Sequence, residues 1–123
     1  MPVDPHDILD LARAIGKLRS SDEAARRSAA SRAYHAAFHA ARLHVWRWRL
    51  AAPPGVHGTH QGLIEALASS PDPADQRNGY RLRQVRDIRH RADYDIHVPF
   101  EPSEVRQALR EADDLVRRLT AGP

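Results

Sequence analysis

The sequence predicts an all-α protein, an up-and-down bundle of four to five helices forming a single domain over residues 1–123. Apolar residues recur at alternating spacings of three and four along most of the chain, the period of a helix face. No stretch shows the alternation at a period of two that a half-buried strand requires. Clusters rich in Pro, Gly and Ser then cut the helical pattern into segments. They fall at Ala51-Ala52-Pro53-Pro54-Gly55, Ser69-Ser70-Pro71-Asp72-Pro73 and Val98-Pro99-Phe100-Glu101-Pro102.

The first helix is expected from about Asp4 to Arg19, with Pro5 near its first turn and a face of Ile8, Leu11, Ala12, Ile15 and Leu18. Ser20 and Glu23 have the spacing of a capping box, and a long alanine-rich second helix follows from about Ser21 to Ala51. Its apolar stripe is Ala30, Tyr34, Phe38, Ala41, Val45 and Trp48, expected in the core. Thr59 or His60 opens a short third helix through Leu63, Ile64 and Leu67, and a fourth covers roughly Ala74 to Tyr94. Ser103 is expected to cap a last helix with Val105, Leu109, Ala112, Leu115, Val116 and Leu119 inward. Ala29, Ala30, Ala33, Ala36, Ala37, Ala40 and Ala41 coat much of the second helix with side chains that each bury little apolar area. A small domain with such a core gains from a partner, so a homodimer is expected.

The chain has no Cys, which excludes a disulfide framework, a thiolate zinc site and a cysteine nucleophile. Arginines interrupt every apolar stretch well short of the ~18 residues that span a bilayer, and the acidic start MPVDPHDILD lacks the order of a secretory signal. A soluble, cytoplasmic protein with no membrane partner is expected.

Of 19 cations, 18 are arginine, against 16 acids, for a net charge of +3. A GC-rich coding sequence accounts for many of these arginines. Their distribution is more informative than their number. Residues 24–64 carry +6 with no acid at all, and residues 77–91 carry +5, while the segments around them are acidic. Two basic segments among acidic ones are how a localised anion-binding face looks in a sequence.

On the second helix a further stripe runs Arg32, His35, His39, Arg42, Trp46 and Arg49. It reads either as a surface that tracks phosphates beside a stacking aromatic, or as a solvated face with Trp46 at a subunit contact. His35 and His39, four apart, have the spacing of a metal pair, and His57 and His60 follow in the next loop. No acid lies between Glu23 and Glu65, so the glutamate of a His-Glu-x-x-His protease is missing, and no metal or other cofactor is expected.

In the fourth helix Leu82, Val85, Ile88 and Ala92 share an arc about 120° wide. Arg83, Arg86, His90 and Arg91 project outside it. Arg89 does not; it lies between Leu82 and Val85 in projection, where an arginine must snorkel, pair or line a seam. Asp93 is one turn away, placed to pair with it, and His90 and Tyr94 are likewise one turn apart. A guanidinium beside an imidazole suits phosphoryl chemistry on RNA, where the ribose 2′-hydroxyl is the nucleophile and no metal is required in principle. A structural Arg89–Asp93 bridge closing the bundle is the other reading.

Three segments carry a family resemblance. They are Ser31-Arg32-Ala33-Tyr34-His35-Ala36-Ala37-Phe38-His39-Ala40-Ala41-Arg42, His60-Gln61-Gly62-Leu63-Ile64, and Arg89-His90-Arg91-Ala92-Asp93-Tyr94-Asp95. In order and spacing they resemble the HEPN domain family, in the branch with Ser-x-x-Tyr-x-x-x-Phe-His-Ala-Ala and Arg-x-x-Ala-Asp-Tyr-Asp motifs. The resemblance covers roughly Ser20 to Leu119. It implies a helical bundle, a homodimer, and a metal-independent endoribonuclease in which arginine holds the phosphate and histidine handles protons. It also implies a toxin or defence effector, encoded in many cases beside a minimal nucleotidyltransferase that acts as antitoxin. By this alignment Arg89 and Tyr94 occupy the positions of the catalytic arginine and histidine, with His90 or His97 as substitutes for the imidazole. Arg91 to His97 and Arg83 to His90 also have family spacings. Arg32, His35, His39, Arg42 and Arg86 are the expected RNA- or nucleotide-binding residues.

Overall fold

The computed structural model describes residues 2–18 and 22–121, and among them there are five helices and no strand. These are α1 (Pro5–Leu18), α2 (Glu23–Trp48), α3 (Thr59–Ala68), α4 (Pro73–Tyr94) and α5 (Pro102–Thr120). None of them is long and apolar enough to cross a membrane.

The all-α bundle is organised around α2, which packs against each of the other four helices. Its 26 residues span ~39 Å at the α-helical rise. The seven alanines expected to coat this helix are all buried within the chain. They let α1, α4 and α5 approach the α2 backbone closely on different sides, so the small side chains serve packing inside one chain. A helix covered on several sides needs no single apolar stripe. Trp48, expected in the core, is exposed: in the last turn of α2 it sits beside His44 and borders an open cleft with the start of α4 and the end of α5.

The helix ends follow local chemistry more closely than the periodicity did. The Ser20–Glu23 capping pattern and the start at Ser21 fall outside the described residues, as does Arg19. The observed cap of α2 is Asp22, whose carboxylate accepts from the N–H groups of Ala24 and Ala25. Glu23 turns elsewhere, accepting from the Phe100 N–H at 2.9 Å. At the other end α2 stops at Trp48, three residues before the expected Ala51. Arg49 adopts a left-handed conformation (φ 53°), and the N–H groups of Arg49 and Leu50 fold back on the carbonyls of Trp46 and Val45. Leu50 packs on the core beneath this turn, the hydrophobic contact that accompanies such a terminus.

On α1 the buried edge is Leu9 and Ala12 with Ile8 and Ile15 partly covered, whereas Leu11 is exposed. The expected face was turned by about one residue, because Leu9 points into the core and Leu11 sits on the far side. The side chain of Leu18 lies outside the described set. Pro73 opens α4 with Asp72 as its cap, one residue before the expected start. Ser103 does not cap α5. Pro102 takes the first helical position, and the Glu104 carboxylate reaches back to the Glu101 N–H at 2.9 Å.

Gly79 sets how closely α3 and α4 cross. A Cβ there would lie 3.0 Å from the Ala68 nitrogen, 3.1 Å from the Leu67 Cβ and 3.2 Å from the Ile64 carbonyl oxygen. Two of these are backbone atoms that cannot swing aside, so Gly79→Ala is expected to destabilise the fold by about 2 kcal/mol through forced separation of the helices. The shift of the urea unfolding midpoint measures it; an unchanged midpoint would mean the crossing is loose.

Candidate functional site

The segment after α4 turns sharply and is held by the first turn of α2. The Arg27 guanidinium donates to the carbonyls of Arg91, Ala92, Asp95 and Val98, and it sits 5.4 Å from the Phe100 ring. These are carbonyls of the last α4 turn and the loop beyond; Arg91 and Asp95 also accept the backbone N–H groups of Asp95 and Val98, so Arg27 adds a second donor to those two and serves Ala92 and Val98 as well. Glu23 completes the clasp: its carboxylate pairs with Arg27 at 3.3 Å, and the Phe100 N–H bond holds its pKa below the usual 4.5. The clasp fixes the turn of α4 that carries Arg89, His90, Asp93 and Tyr94.

Arg89 lies where α4 crosses α2. Its Nε is 2.9 Å from Asp93 Oδ2, and its guanidinium carbon is 5.6 Å from the Tyr34 ring centroid and 5.7 Å from that of Tyr94. The Nε–H is buried but not aimed along the line to that oxygen, so Asp93 holds Arg89 by charge and proximity without a directed hydrogen bond. Ser31 on α2 donates to the same carboxylate oxygen at 3.2 Å. Among the described residues none accepts a hydrogen bond from the terminal nitrogens of Arg89. Those nitrogens border a cleft of about 330 Å³ lined by His60, Arg86, Asp87, Arg89, His90 and Tyr94.

The neighbours of Arg89 come from three helices. Arg86, one turn back on α4, donates to Gln61 Oε1 at 2.7 Å; Gln61 donates in turn to Glu65, which also receives Arg83 at 3.0 Å. His90 and Tyr94 pack edge to face with centroids 4.9 Å apart. His60, from the first turn of α3, is stacked against Tyr34 and tilted against Phe38, and its Nδ1 is 2.5 Å from the Tyr34 hydroxyl. Burial pushes the Tyr34 hydroxyl up to about 12, against the opposing pull of Arg86 and Arg89, so it stays protonated. Burial is also the main reason His60 is harder to protonate than the usual 6.5, with the charges of Arg89 and Arg86 adding to it.

The residues expected from sequence separate into groups. Arg86, Arg89, His90 and Tyr94 share the cleft, with Asp93 pairing Arg89 as its spacing predicted. Arg91 turns away to Glu104 at 3.1 Å, and His97 is exposed in the following turn without lining the cleft. The basic stripe of α2 also divides. His35 closes its Nδ1 onto the Ser31 carbonyl at 2.8 Å, and Arg32 is exposed near Ser31 and Asp93. His39, Arg42 and Trp46 line a separate, largely apolar groove against the start of α1, where Arg42 lies 4.4 Å over the Trp46 ring. Arg49 is the left-handed residue that ends the helix. Among the described residues no three His, Asp or Glu side chains are placed to hold a metal ion.

Sequence reasoning did not place His60 or Asp87 in the cleft, nor Tyr34 behind it. Tyr34 is expected in the core and is buried there, yet its hydroxyl reaches the cleft imidazole. His60 entered the sequence reading as a possible start of the third helix, beside a metal pair and in the second of the three motifs, never as a residue of the cleft. The signal that could have found both is that His60 follows the Pro53-Pro54-Gly55 break at a helix start, where a short loop returns the chain to the tyrosine face of α2.

The histidines also predict a pH dependence. His39, like His60, is held below 6.5, mainly by burial. Between the folded and unfolded pKa values the unfolded chain therefore binds more protons, so stability should fall as the pH drops below about 6.5. Glu23 acts in a separate window, its contribution being lost only as the pH falls below 4.5. Urea midpoints at about pH 7.5 and about pH 5.5 should decrease, and less steeply in His60→Asn. An equal slope in the variant would contradict the role given to His60.

No protein-family model matches the chain, and no curated protein or solved structure matches it either.

Proposed function

We propose that this chain is a HEPN-type effector, the toxin-like, metal-independent endoribonuclease of a toxin–antitoxin or defence pair, acting as a cytoplasmic homodimer. The observation that carries the reading is the state of Arg89: it is anchored through Nε, while its terminal nitrogens are open to a cleft shared with Arg86, His90 and Tyr94. A fork of open donors at fixed depth matches the two non-bridging oxygens of a phosphodiester. In the reaction the ribose 2′-oxygen bonds to phosphorus and the P–O5′ bond breaks. The products are a 2′,3′-cyclic phosphate and a 5′-hydroxyl; the proton lost by the 2′-hydroxyl is balanced by the one the 5′-oxygen gains. His90, at the mouth of the cleft, is placed to exchange those protons. Tyr94 lines this cleft, and the exposed side chains of Ile96 and Val98 follow it in the chain; together they supply apolar area for the subunit seam.

Purified protein incubated with RNA in excess EDTA tests the reading. Cleavage that survives chelation and leaves cyclic phosphate ends is the expected result; intact RNA would overturn it. A second reading rests on Tyr94, which is 63% exposed and stands at the position where the family resemblance calls for histidine. It makes the chain a non-catalytic module that binds nucleotide and docks a minimal nucleotidyltransferase, and it predicts intact RNA with retained nucleotide binding.

A further inference from the structure

We propose that His60, reaching the cleft from α3, is the imidazole that joins Arg89 on a bound phosphate, donating from Nε2, and that Tyr34 is the positioning residue that fixes this tautomer. The phosphate is that of an RNA diester, so the inference rests on the ribonuclease reading for its substrate but not for its geometry.

The argument begins with a buried hydroxyl. Tyr34 has no exposed surface, and a buried O–H without an acceptor is costly. His60 Nδ1, at 2.5 Å, is the acceptor within reach. When Tyr34 donates to Nδ1, the neutral ring must carry its proton on Nε2. That nitrogen has no protein partner among the described residues and is not sealed from solvent, and the ring itself lines the cleft with Arg86 and Arg89. The stacking against Tyr34 and Phe38 holds the ring plane, so the direction of the N–H is set before any ligand arrives.

The electrostatics agree with that geometry. Two guanidinium groups already share the cleft, and a third full positive charge beside them is disfavoured. A neutral donor adds a hydrogen bond without that repulsion. Arg86 and Arg89 on α4 and His35 on α2 all oppose protonation of His60, while Asp87 at the rim pairs with Arg86 at 3.8 Å. The cleft thus converges donors from α3 and α4 onto one anion-sized space, with α2 supplying the tyrosine that aims one of them.

The test uses the full chain labelled with ¹⁵N, with inorganic phosphate as the probe. Long-range imidazole spectra should show His60 as the Nε2–H tautomer, and phosphate should shift its Nε2 resonance. Arg89→Ala should abolish that shift, whereas Tyr34→Phe should mix the two tautomers and weaken phosphate binding about 5-fold, the worth of one hydrogen bond. The double variant Tyr34→Phe/His60→Phe removes both partners together, keeps ring stacking and guards against a folding artefact; it should bind phosphate as weakly or more so. An Nδ1–H tautomer, or a phosphate shift that bypasses His60 while still depending on Arg89, would overturn the proposal. A short RNA with 2′-deoxy substitution at the scissile position should bind more tightly than phosphate if the diester is the ligand, and equal binding would assign the site to free phosphate. If wild-type protein leaves RNA intact, the ribonuclease reading fails and the phosphate titration still decides the role of His60. If the double variant cleaves RNA at the wild-type rate, the role of His60 fails and the ribonuclease reading stands.

Discussion

Arg89→Ala is expected to lower RNA cleavage by about 10³-fold while leaving the helical fold in place. The size follows from the role the ribonuclease proposal gives the guanidinium: its open donors would meet the charge that builds on the phosphate oxygens in the transition state. Its absence should cost far less in folding. The Arg89–Asp93 pair is partly exposed, with side chains 20% and 28% accessible, so screening reduces it to about 1 kcal/mol or less. Asp93 would keep the Ser31 hydroxyl as a donor, and the loss of Arg89 removes a buried N–H that has no directed acceptor. Arg89→Lys should recover only part of the rate, because a point charge replaces a fork. Cleavage assays in EDTA, run beside thermal melts, separate the two effects. Wild-type cleavage by the alanine variant would remove Arg89 from the chemistry.

Arg27→Ala should produce the largest loss of stability, about 3 kcal/mol. The side chain is only 11% accessible and satisfies four carbonyls that belong to the end of α4 and the loop after it. Truncation would strand the Ala92 and Val98 carbonyls, leave those of Arg91 and Asp95 with their backbone donors alone, and remove the cation that pairs with Glu23. A lysine cannot cover four carbonyls spread around a planar group, so Arg27→Lys should restore less than half of the loss. Urea unfolding gives the energy, and amide exchange should show the opening concentrated at residues 91–100. Because that turn holds Tyr94 and Asp93 in place, phosphate binding in the cleft should weaken as well. A uniform rise in exchange across all five helices would argue against a local clasp.

Much of this was legible in the chain. The helical period and the three breaker clusters separated α2, α3, α4 and α5 from one another, and the spacing of Arg89 and Asp93 anticipated their ion pair. The termini were less legible, because capping depends on which side chain turns toward which N–H. Ser103 stood where a cap was expected, yet Glu101 and Glu104 close the start of α5 between them. Trp48 continued an apolar stripe but borders an open cleft at the ends of α2, α4 and α5 instead of the core.

The candidate site divides in the same way. Arg86, Arg89, His90 and Tyr94 were visible because they lie on one helix, where spacing fixes direction at about 100° per residue. The same rule set Arg91 on the other side of the helix from Arg89, and Glu104 on α5 supplies the partner that holds it there. His60, Tyr34 and Arg27 were invisible as site residues, since their partners lie 26 to 71 positions distant. Local periodicity carries through the sequence because backbone geometry is the same at every turn. Meetings between helices depend on loop paths and on which faces pack, and only the assembled bundle brings the tyrosine of α2, the histidine of α3 and the arginines of α4 to one cleft.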